Sequence, residues 1–354
     1  MSLSASPPLW NRDRHAERRG RLLSRQRITS FVRRWFGANG FVEVDPAALQ
    51  PSPGNETHLI GFETALGRPT GSTSAAYLHT SPEFAMKKLL TAGETRIFAL
   101  SHVFRNRERS ALHAPEFAML EWYRVGAPLT HLMDDCAALL ALAAYVAGVK
   151  AFAYRGLEAN PFEPPERLTV REAFLRHAGI DLYDSLSPTG VPDPAVLARQ
   201  TQAAGLRVAA DDTWSDMFSR LLSERVEPNL GVGRATILRD YPASEAALAR
   251  VSPDDQRAAE RFELYCCGVE LANAFHELID PEEQRRRFEA DMAEQKRTYG
   301  FSHPIDEDFL SALADMPDAS GAALGFDRLV MLATGANRVE AVQWTPVFDP
   351  EANI

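Results

Sequence analysis

The stretch that decides the fold runs from Phe104-Arg105-Asn106-Arg107-Glu108-Arg109 to His113-Ala114-Pro115-Glu116-Phe117. Residues 96–105 before it and 117–125 after it are both predicted to be strands, so the stretch is predicted to be the basic turn of an antiparallel hairpin. Met119, Glu121 and Tyr123 then alternate onto one face of the second strand. Arginine forks suit phosphate and carboxylate oxygens, and the Phe117 ring offers a face on which a base can stack. A solvated basic loop would have the same composition, so this pattern alone leaves both interpretations open.

A second hairpin is predicted over residues 261–273, Arg-Phe-Glu-Leu-Tyr-Cys-Cys-Gly-Val-Glu-Leu-Ala-Asn. If Cys267-Gly268 is a two-residue turn, Glu270 lies opposite Tyr265 and on the same face as Glu263. Two converging carboxylates repel each other unless a cation lies between them, and magnesium prefers hard oxygen ligands together with phosphate. Periodicity equally permits a solvated helix face formed by Glu270, Asn273 and Glu277.

A third segment passes from small residues into a helix at residues 321–332, Gly-Ala-Ala-Leu-Gly-Phe-Asp-Arg-Leu-Val-Met-Leu. We predict a strand over residues 322–325, with Asp327 near the start of the helix and Arg328 in its first turn. Backbone N–H groups and the helix dipole favour an anion at such a place. A glycine-containing junction between a strand and a helix is common, so by itself it indicates little about function.

The remaining segments predict one α+β domain over residues 1–354, an antiparallel sheet flanked by helices. Residues 11–34 carry nine arginines on an amphipathic helix, and we interpret its charged face as solvated. Residues 150–234 resemble a helical insertion. Further helices are predicted over residues 84–90, after Ser81-Pro82-Glu83 with proline at the first helical position, and over residues 129–146. Further strands are predicted at residues 41–44, 77–79, 235–239, 262–266 and 269–275.

Composition and charge exclude several classes of protein. With 45% hydrophobic and 24% charged residues the chain is typical of a folded globular protein. Its net charge of −10 argues against a surface that grips nucleic acid throughout. Three cysteines without a Cys-x-x-Cys spacing support neither a disulfide framework nor a zinc site, which favours a reducing compartment. Residues 1–10 have no apolar run, and residues 129–149 are interrupted by His131, Asp134 and Asp135, so we expect a cytoplasmic protein without a membrane segment.

Together and in this order, the three segments resemble the three motifs of class II aminoacyl-tRNA synthetases, in particular the lysine-specific branch. The matching residues are Phe-Arg-Asn at 104–106, His-x-Pro-Glu-Phe at 113–117, Met-Leu-Glu at 119–121, Glu-Leu-Ala-Asn-x-Phe-x-Glu-Leu at 270–278 and Gly-x-Asp-Arg at 325–328. A lysyl-tRNA synthetase carries an amino-terminal anticodon-binding domain, and we expect no such domain here because the motifs begin almost at once. The layout therefore resembles the elongation factor P lysine ligase family, whose members join (R)-β-lysine to a lysine side chain of elongation factor P.

The resemblance implies ATP and Mg²⁺ as cofactors and a role for each matching residue. Arg105 would bind the substrate carboxylate and the α-phosphate. His113 and Arg328, the other two implied catalytic residues, would contact the outer phosphates. Phe117 and Arg328 would enclose adenine. Glu263 and Glu270 would hold Mg²⁺, and Glu270 also borders the ATP site. The other residues implied to line the nucleotide site are Asn106, Arg107, Ala114, Leu271 and Gly325. Those implied to surround the amino acid are Ser81, Pro82, Glu83, Glu121, Tyr123, Asn273, Glu277 and Ala323.

Two positions depart from the synthetase pattern. Arg107 takes the fourth place of Phe-Arg-x-Glu, so the adenine amino group would be contacted by Glu108 or by a backbone carbonyl instead. Ala323 stands where lysyl-tRNA synthetases usually have glycine, and the added methyl group predicts a preference for (R)-β-lysine over α-lysine.

The alternatives are a stand-alone lysyl-tRNA synthetase and a non-catalytic synthetase-like regulator. The expected absence of an anticodon domain and the net charge argue against tRNA as a partner. A complete set of ATP and magnesium residues argues against a regulator. Elongation factor P and (R)-β-lysine or lysine are the expected partners, and the motif resemblance at residues 28–50 implies a homodimer.

Overall fold

The computed structural model describes residues 10–348, so the predicted polar amino terminus lies outside the described residues except for Trp10. The described helices are α1 (Arg12–Ala38), α2 (Glu83–Thr91), α3 (Leu129–Ala147), α4 (Val170–Ala178), α5 (Pro194–Ala203), α6 (Trp214–Leu221), α7 (Pro281–Tyr299), α8 (Glu307–Leu313) and α9 (Phe326–Ala333). The described strands are β1 (Val42–Glu43), β2 (Leu49–Gln50), β3 (Phe62–Gly67), β4 (Thr73–Leu78), β5 (Arg96–Phe104), β6 (Glu116–Val125), β7 (Phe152–Tyr154), β8 (Leu157–Asn160), β9 (Glu166–Thr169), β10 (Gly233–Arg234), β11 (Thr236–Pro242), β12 (Ala258–Cys266), β13 (Val269–His276) and β14 (Ala319–Gly325).

Eight strands form one large sheet in the order β1-β5-β6-β14-β13-β12-β11-β9. The six central strands, which carry the motifs, are antiparallel as predicted. The prediction is wrong at the edges, where β1 and β9 add in parallel and make the sheet mixed. Both edge strands reach their partners through long connections that contain helices, which is what a parallel pairing needs. The fold is therefore α+β, a large mixed sheet flanked by helices.

The two faces of the large sheet pack against different helices. Leu120 and Trp122 of β6 join the main core with residues of α1, α3 and α9. Ile97 of β5 and Tyr123 of β6 face the other side, where residues of α2, α7 and α8 pack. Alternation along β5 and β6 therefore separates a structural face from the face on which the cleft described below opens.

Two arginines of α1 are anchored inside the protein, which corrects the prediction of a solvated charged face. Arg18 is 8% exposed and donates to the backbone carbonyl of Gln343. Arg25 is ion-paired with Asp327 at the start of α9. Asp327 also accepts hydrogen bonds from the Gln343 side chain (2.7 Å) and from the backbone N–H of Ala118 (3.4 Å). The charge run did not reveal these contacts because the partners lie more than 300 residues away, at separations of 302 and 325 residues.

Residues 150–234 contain strands as well as helices, unlike the predicted helical insertion. β7 and β8 form a small sheet with β10, and β9 extends the large sheet beside β11. The helices α4 to α6 follow and enclose a separate apolar core that includes Phe174, Trp214 and Phe218. The strands escaped prediction because, with two to four residues each, they are too short to show alternation.

Among the described helices, α3 is the one whose length and composition would suit a membrane span. In this fold α3 packs between α1, α9 and the sheet. Asp135 on α3 forms an ion pair with Arg124 at 2.8 Å and accepts the indole N–H of Trp122 at 3.0 Å. These contacts are those of a core helix in a folded domain.

Candidate active site

A cleft with a volume of about 320 Å³ opens on the sheet face that also packs α2, α7 and α8. Strands β6, β12, β13 and β14 form its floor, and loop residues around 56–59 and 108–114 form its walls. Most of the predicted site residues line it together, namely Ser81, Glu83, Arg105, His113, Ala114, Phe117, Glu121, Tyr123, Glu263, Glu270, Leu271, Asn273, Glu277, Ala323, Gly325 and Arg328.

One end of the cleft is acidic. Ser81 Oγ donates to Glu121 Oε1 at 2.5 Å, and the Tyr123 hydroxyl donates to Glu121 Oε2 at 3.2 Å. Burial, and to a smaller extent the charge of Glu83, raises the pKa of Glu121 to about 8. Burial likewise raises the pKa of Glu277 to about 8. Such carboxyl groups release their protons when a cation approaches, so this end suits an ammonium group.

Lys87, which the sequence analysis did not single out, lies behind this acidic end. Its ammonium is ion-paired with Glu83 and lies 2.6 Å from Glu277 Oε2. Among the described residues, the buried Glu277 Oε1 has no hydrogen-bond partner. A Cβ atom at Gly321 would lie less than 3.0 Å from that oxygen and from the Tyr123 ring. Glycine at position 321 therefore makes room for Tyr123 and Glu277 to approach each other.

A β-bulge brings the polar residues of β13 to the same face. The first two pairs of the hairpin follow the predicted two-residue turn, but Leu264 then pairs with Ala272 and leaves Leu271 as an extra residue. An extra residue shifts the alternation of a strand by one. As a result Glu270 and Asn273 both line the cleft, although an uninterrupted strand would place them on opposite faces. The strand also excludes the alternative of a solvated helix face.

Glu263 is held by three donors at the floor of the cleft. Arg261 Nη2 donates to its Oε1 at 2.6 Å, and the hydroxyls of Tyr241 and Tyr265 donate to its Oε2, each at 2.6 Å. Desolvation, followed by the charge of Glu263, raises the pKa of Glu270. The two carboxylates therefore repel each other within one cleft, as the sequence analysis expected.

This pair fits part of a magnesium site. A carboxylate offers about four lone-pair positions, so Glu263 keeps one on Oε1 after its three hydrogen bonds. Glu270 Oε2 lies 3.4 Å from Arg328 Nη1. Within residues 10–348 no group of three His, Cys, Asp or Glu side chains could hold a metal alone. A magnesium ion here would therefore need oxygens from phosphate and water in addition to Glu263 and Glu270.

The other end of the cleft is basic. From Gly321 to Gly325, β14 runs away from the acidic end by about 13 Å, at about 3.3 Å per residue, and leads into Arg328. Arg328 Nη2 lies 2.9 Å from His113 Nε2, and Arg328 Nη1 donates to the backbone carbonyl of Glu270 at 2.8 Å. Desolvation, with the charges of Arg328 and Arg105, lowers the pKa of His113 to about 4. His113 is therefore neutral at pH 7, and its Nε2 accepts the hydrogen bond from Arg328.

Arg105 joins this basic end from the first hairpin. Its guanidinium lies over the Phe117 ring, 5.3 Å from the ring centroid, and its Nε donates to the carbonyl of Thr80 at 3.3 Å. The side chain is therefore held over the cleft floor by one aromatic and one backbone contact. Phe117 itself lines the cleft, and one face of its ring is covered by this contact.

Three predicted residues do not line the cleft. Arg107 is exposed, has a φ of 66°, and lies with its guanidinium over the Phe301 ring, while Glu108 lines the cleft in its place. Asn106 donates its backbone N–H to the carbonyl of Ile60, and its side-chain oxygen accepts the backbone N–H of Arg107, so it shapes the loop. Pro82 precedes the first residue of α2, where it was predicted to be that first residue. Three cleft residues were not predicted: Glu56 and Leu59, which come from a separate loop, and Arg261, which lies on β12 two residues before Glu263.

The fold and the cleft define a class II synthetase catalytic domain, and comparison with known proteins agrees. The family model described as tRNA synthetases class II (D, K and N) matches residues 9–348. The chain is 39% identical over 325 residues to the elongation factor P--(R)-beta-lysine ligase of Edwardsiella ictaluri, covering 91% of this chain and 93% of that protein. It is 38% identical over 330 residues to the protein of the same name from Yersinia enterocolitica, covering 92% and 94%.

The chain therefore belongs to the class II tRNA synthetase family and, within it, to the group of elongation factor P--(R)-beta-lysine ligases. The resemblance that the motifs suggested is confirmed. Membership of this group makes the protein an ATP-dependent ligase.

Proposed function

We propose that this protein activates (R)-β-lysine, or lysine, as an aminoacyl adenylate and transfers it to a lysine side chain of elongation factor P. The observation that carries the proposal is the polarity of the cleft. Carboxylates at one end suit the ammonium groups of a diamino acid, and Arg105 and Arg328 at the other suit a carboxylate and phosphates. An aminoacyl adenylate of lysine has this same distribution of charge.

In the first step a carboxylate oxygen of the amino acid attacks the α-phosphorus of ATP. The bond from that phosphorus to the oxygen bridging it to the β-phosphate breaks, and pyrophosphate leaves with the bonding electrons. Arg105 would hold the attacking carboxylate and the α-phosphate together, which supplies both proximity and charge stabilisation. Arg328, with the neutral His113 beside it, would hold the outer phosphates. Bound by Glu263 and Glu270 together with phosphate, Mg²⁺ would neutralise phosphate charge.

In the second step a neutral lysine amine of elongation factor P attacks the carbonyl carbon of the adenylate. An amide bond forms, the bond from the carbonyl carbon to the phosphate oxygen breaks, AMP leaves, and the amine gives a proton to water. Glu83, Glu121 and Glu277 would keep the amino acid in place during this exchange. Because these carboxylates bind the ammonium groups of the activated amino acid, its carbonyl carbon stays in a fixed position for attack by the incoming amine.

We further propose a cytoplasmic homodimer for which tRNA is not a substrate. The three cysteines are free and buried, which suits a reducing compartment. Phe31 on α1 and Val42 on β1 are exposed apolar residues at the edge of the large sheet, where the family resemblance puts a two-fold interface. Sedimentation at micromolar protein would contradict the dimer if it gave a mass near the 39.2 kDa of one chain.

One experiment separates this proposal from its alternatives. The protein is incubated with ATP, labelled (R)-β-lysine or L-lysine, purified elongation factor P and bulk tRNA, with the Arg105→Ala variant as an inactive control. Label on elongation factor P supports the proposal. Label on tRNA instead would identify a lysyl-tRNA synthetase, and no label together with no pyrophosphate exchange would indicate a regulator.

A further inference from the structure

The ammonium group of Lys87 lies behind the acidic end of the cleft and away from solvent. The Lys87 side chain is 1% exposed, and the ring of Phe309 from α8 covers it at 6.0 Å. Its two ion-pair partners, Glu83 and Glu277, both line the cleft. Removing an ammonium from water costs several kcal/mol unless carboxylates compensate for it, so these three groups form one electrostatic unit.

The charge of this unit can be counted. Glu83, Glu121 and Glu277 contribute three negative charges when ionised, and Lys87 contributes one positive charge. Tyr123 contributes none, because burial and the nearby carboxylates raise its pKa well above its ordinary value. These three carboxylates and Lys87 together then have a net charge of −2. A diamino acid whose carboxylate is bound by Arg105 brings two ammonium groups, which balance that charge.

Lys87 also pairs with only one carboxylate oxygen of each partner. It is paired with one oxygen of Glu83, Oε1, and with one oxygen of Glu277, Oε2. In the described part of the chain the other oxygen of Glu277 has no hydrogen-bond partner and lies beside Gly321. Both carboxylates are thus fixed from behind and keep an oxygen for the cleft.

We infer that Lys87 is a positioning residue of the amino acid site, which orients Glu83 and Glu277 and sets the charge of the site to match a substrate with two ammonium groups. This inference rests on the proposed function and deepens it. It implies that amino acids with one ammonium group, such as norleucine and 6-aminohexanoate, are rejected because they leave a buried carboxylate uncompensated.

Replacing Lys87 by methionine shortens the side chain by one heavy atom and removes its charge. The pKa of Glu277 should then rise further, since its carboxyl loses the attractive charge of Lys87 while the charge of Glu83 remains. More of the Glu277 carboxyl is then protonated in the free protein, and it must release its proton when the substrate binds. Binding should therefore strengthen as the pH rises through this raised pKa, and the acidic limb of the kcat/KM profile should move to higher pH.

Titration calorimetry with (R)-β-lysine and L-lysine, in two buffers of different ionisation enthalpy, counts the protons released on binding. Above pH 8, where Glu277 of the wild type is mostly ionised, we expect Lys87→Met to release more protons per substrate than the wild type. We also expect KM to rise about tenfold or more, with kcat affected less. Lys88→Met is the matched control, because Lys88 is the next residue of α2 and pairs instead with Asp306 (2.9 Å) and Asp308 (2.8 Å). A folded Lys87→Met variant with the wild-type proton count and pH profile would overturn the inference.

A second comparison keeps the test valid if Lys87→Met does not fold. Glu83→Gln and the double variant Glu83→Gln/Lys87→Met differ in Lys87 alone. The double variant loses one negative and one positive charge, so its net charge equals that of the wild type. We expect the double variant to release more protons than Glu83→Gln, whereas equal counts would refute the role of Lys87. Failure of the wild type to bind either lysine would refute the proposed function itself, so the two failures are distinguishable.

Discussion

Replacing Gly321 by alanine should damage amino acid binding more than it damages folding. The new Cβ would lie less than 3.0 Å from the Tyr123 ring and from Glu277 Oε1, a separation that Cβ atoms essentially never show. The backbone cannot retreat easily, because Gly321 pairs with Tyr123 on one side and with Phe275 on the other. The side chains of Tyr123 and Glu277 must therefore move.

The size of the effect follows from the contact that this movement breaks. The Tyr123 hydroxyl donates to Glu121 at 3.2 Å, and a hydrogen bond to a charged group contributes about 1.5–3 kcal/mol. At about 1.4 kcal/mol per factor of ten, the Kd for lysine or (R)-β-lysine should rise about 10- to 150-fold. Overpacking of this kind lowers the free energy of unfolding by about 1–3 kcal/mol, which a domain of this size tolerates.

Calorimetry measures the Kd, and thermal unfolding shows whether the variant is folded. Gly20→Ala is the control, because Gly20 lies in α1 and a Cβ there meets no described atom within 4 Å. It should bind both amino acids as the wild type does. A folded Gly321→Ala protein with a Kd within about twofold of the wild-type value would refute the idea that Gly321 makes room for the amino acid site.

Three further predictions concern the cleft. Arg105→Ala should slow ATP–pyrophosphate exchange about a hundredfold or more, because it removes about 3 kcal/mol of transition-state stabilisation, and near wild-type exchange would contradict its role. Glu270→Gln and Glu263→Gln should each raise the Mg²⁺ concentration needed for half-maximal exchange, since an amide is a weaker ligand for a hard cation. Unchanged Mg²⁺ titrations in both variants would rule out the metal site. Glu270→Gln is the cleaner variant, because Glu263 accepts three hydrogen bonds of 2.6 Å whereas the Glu270 side chain has one contact with Arg328, at 3.4 Å. Ala323→Gly should raise kcat/KM for α-lysine relative to (R)-β-lysine by about tenfold, and equal changes for both substrates would contradict it.

The strands of the site could be predicted from the sequence because their periodicity is local. Met119, Glu121 and Tyr123 alternate with the apolar Leu120 and Trp122, and the structure places the two sets on opposite faces of β6. The strand-to-helix junction before Arg328 was also predictable, because small residues give way there to an apolar helical repeat. In both cases neighbouring residues carry the whole signal.

Other parts of the site depend on contacts that no local pattern records. The bulge at Leu271 is set by how β13 fits β12 and β14, and it alone decides that Asn273 lines the cleft. The position of Lys87 follows from the docking of α2 beside Glu277, which is 190 residues later in the chain. In the sequence, Lys87 and Lys88 look alike, although one lies behind the cleft and the other faces α8.

The contacts of Asp327 have a consequence for biosynthesis. Asp327 is tied to Arg25 near the beginning of the described chain and to Gln343 near its end, and the next residue is Arg328. Contacts that close such long loops form late, since the loop entropy must be overcome first. On the ribosome, β6 and β13 are synthesised before β14, the strand that lies between them in the sheet, and Arg328 follows β14 directly. A partly synthesised chain therefore lacks both the strand that joins Glu121 to Glu277 and the arginine proposed to hold phosphate, so the two ends of the cleft form together.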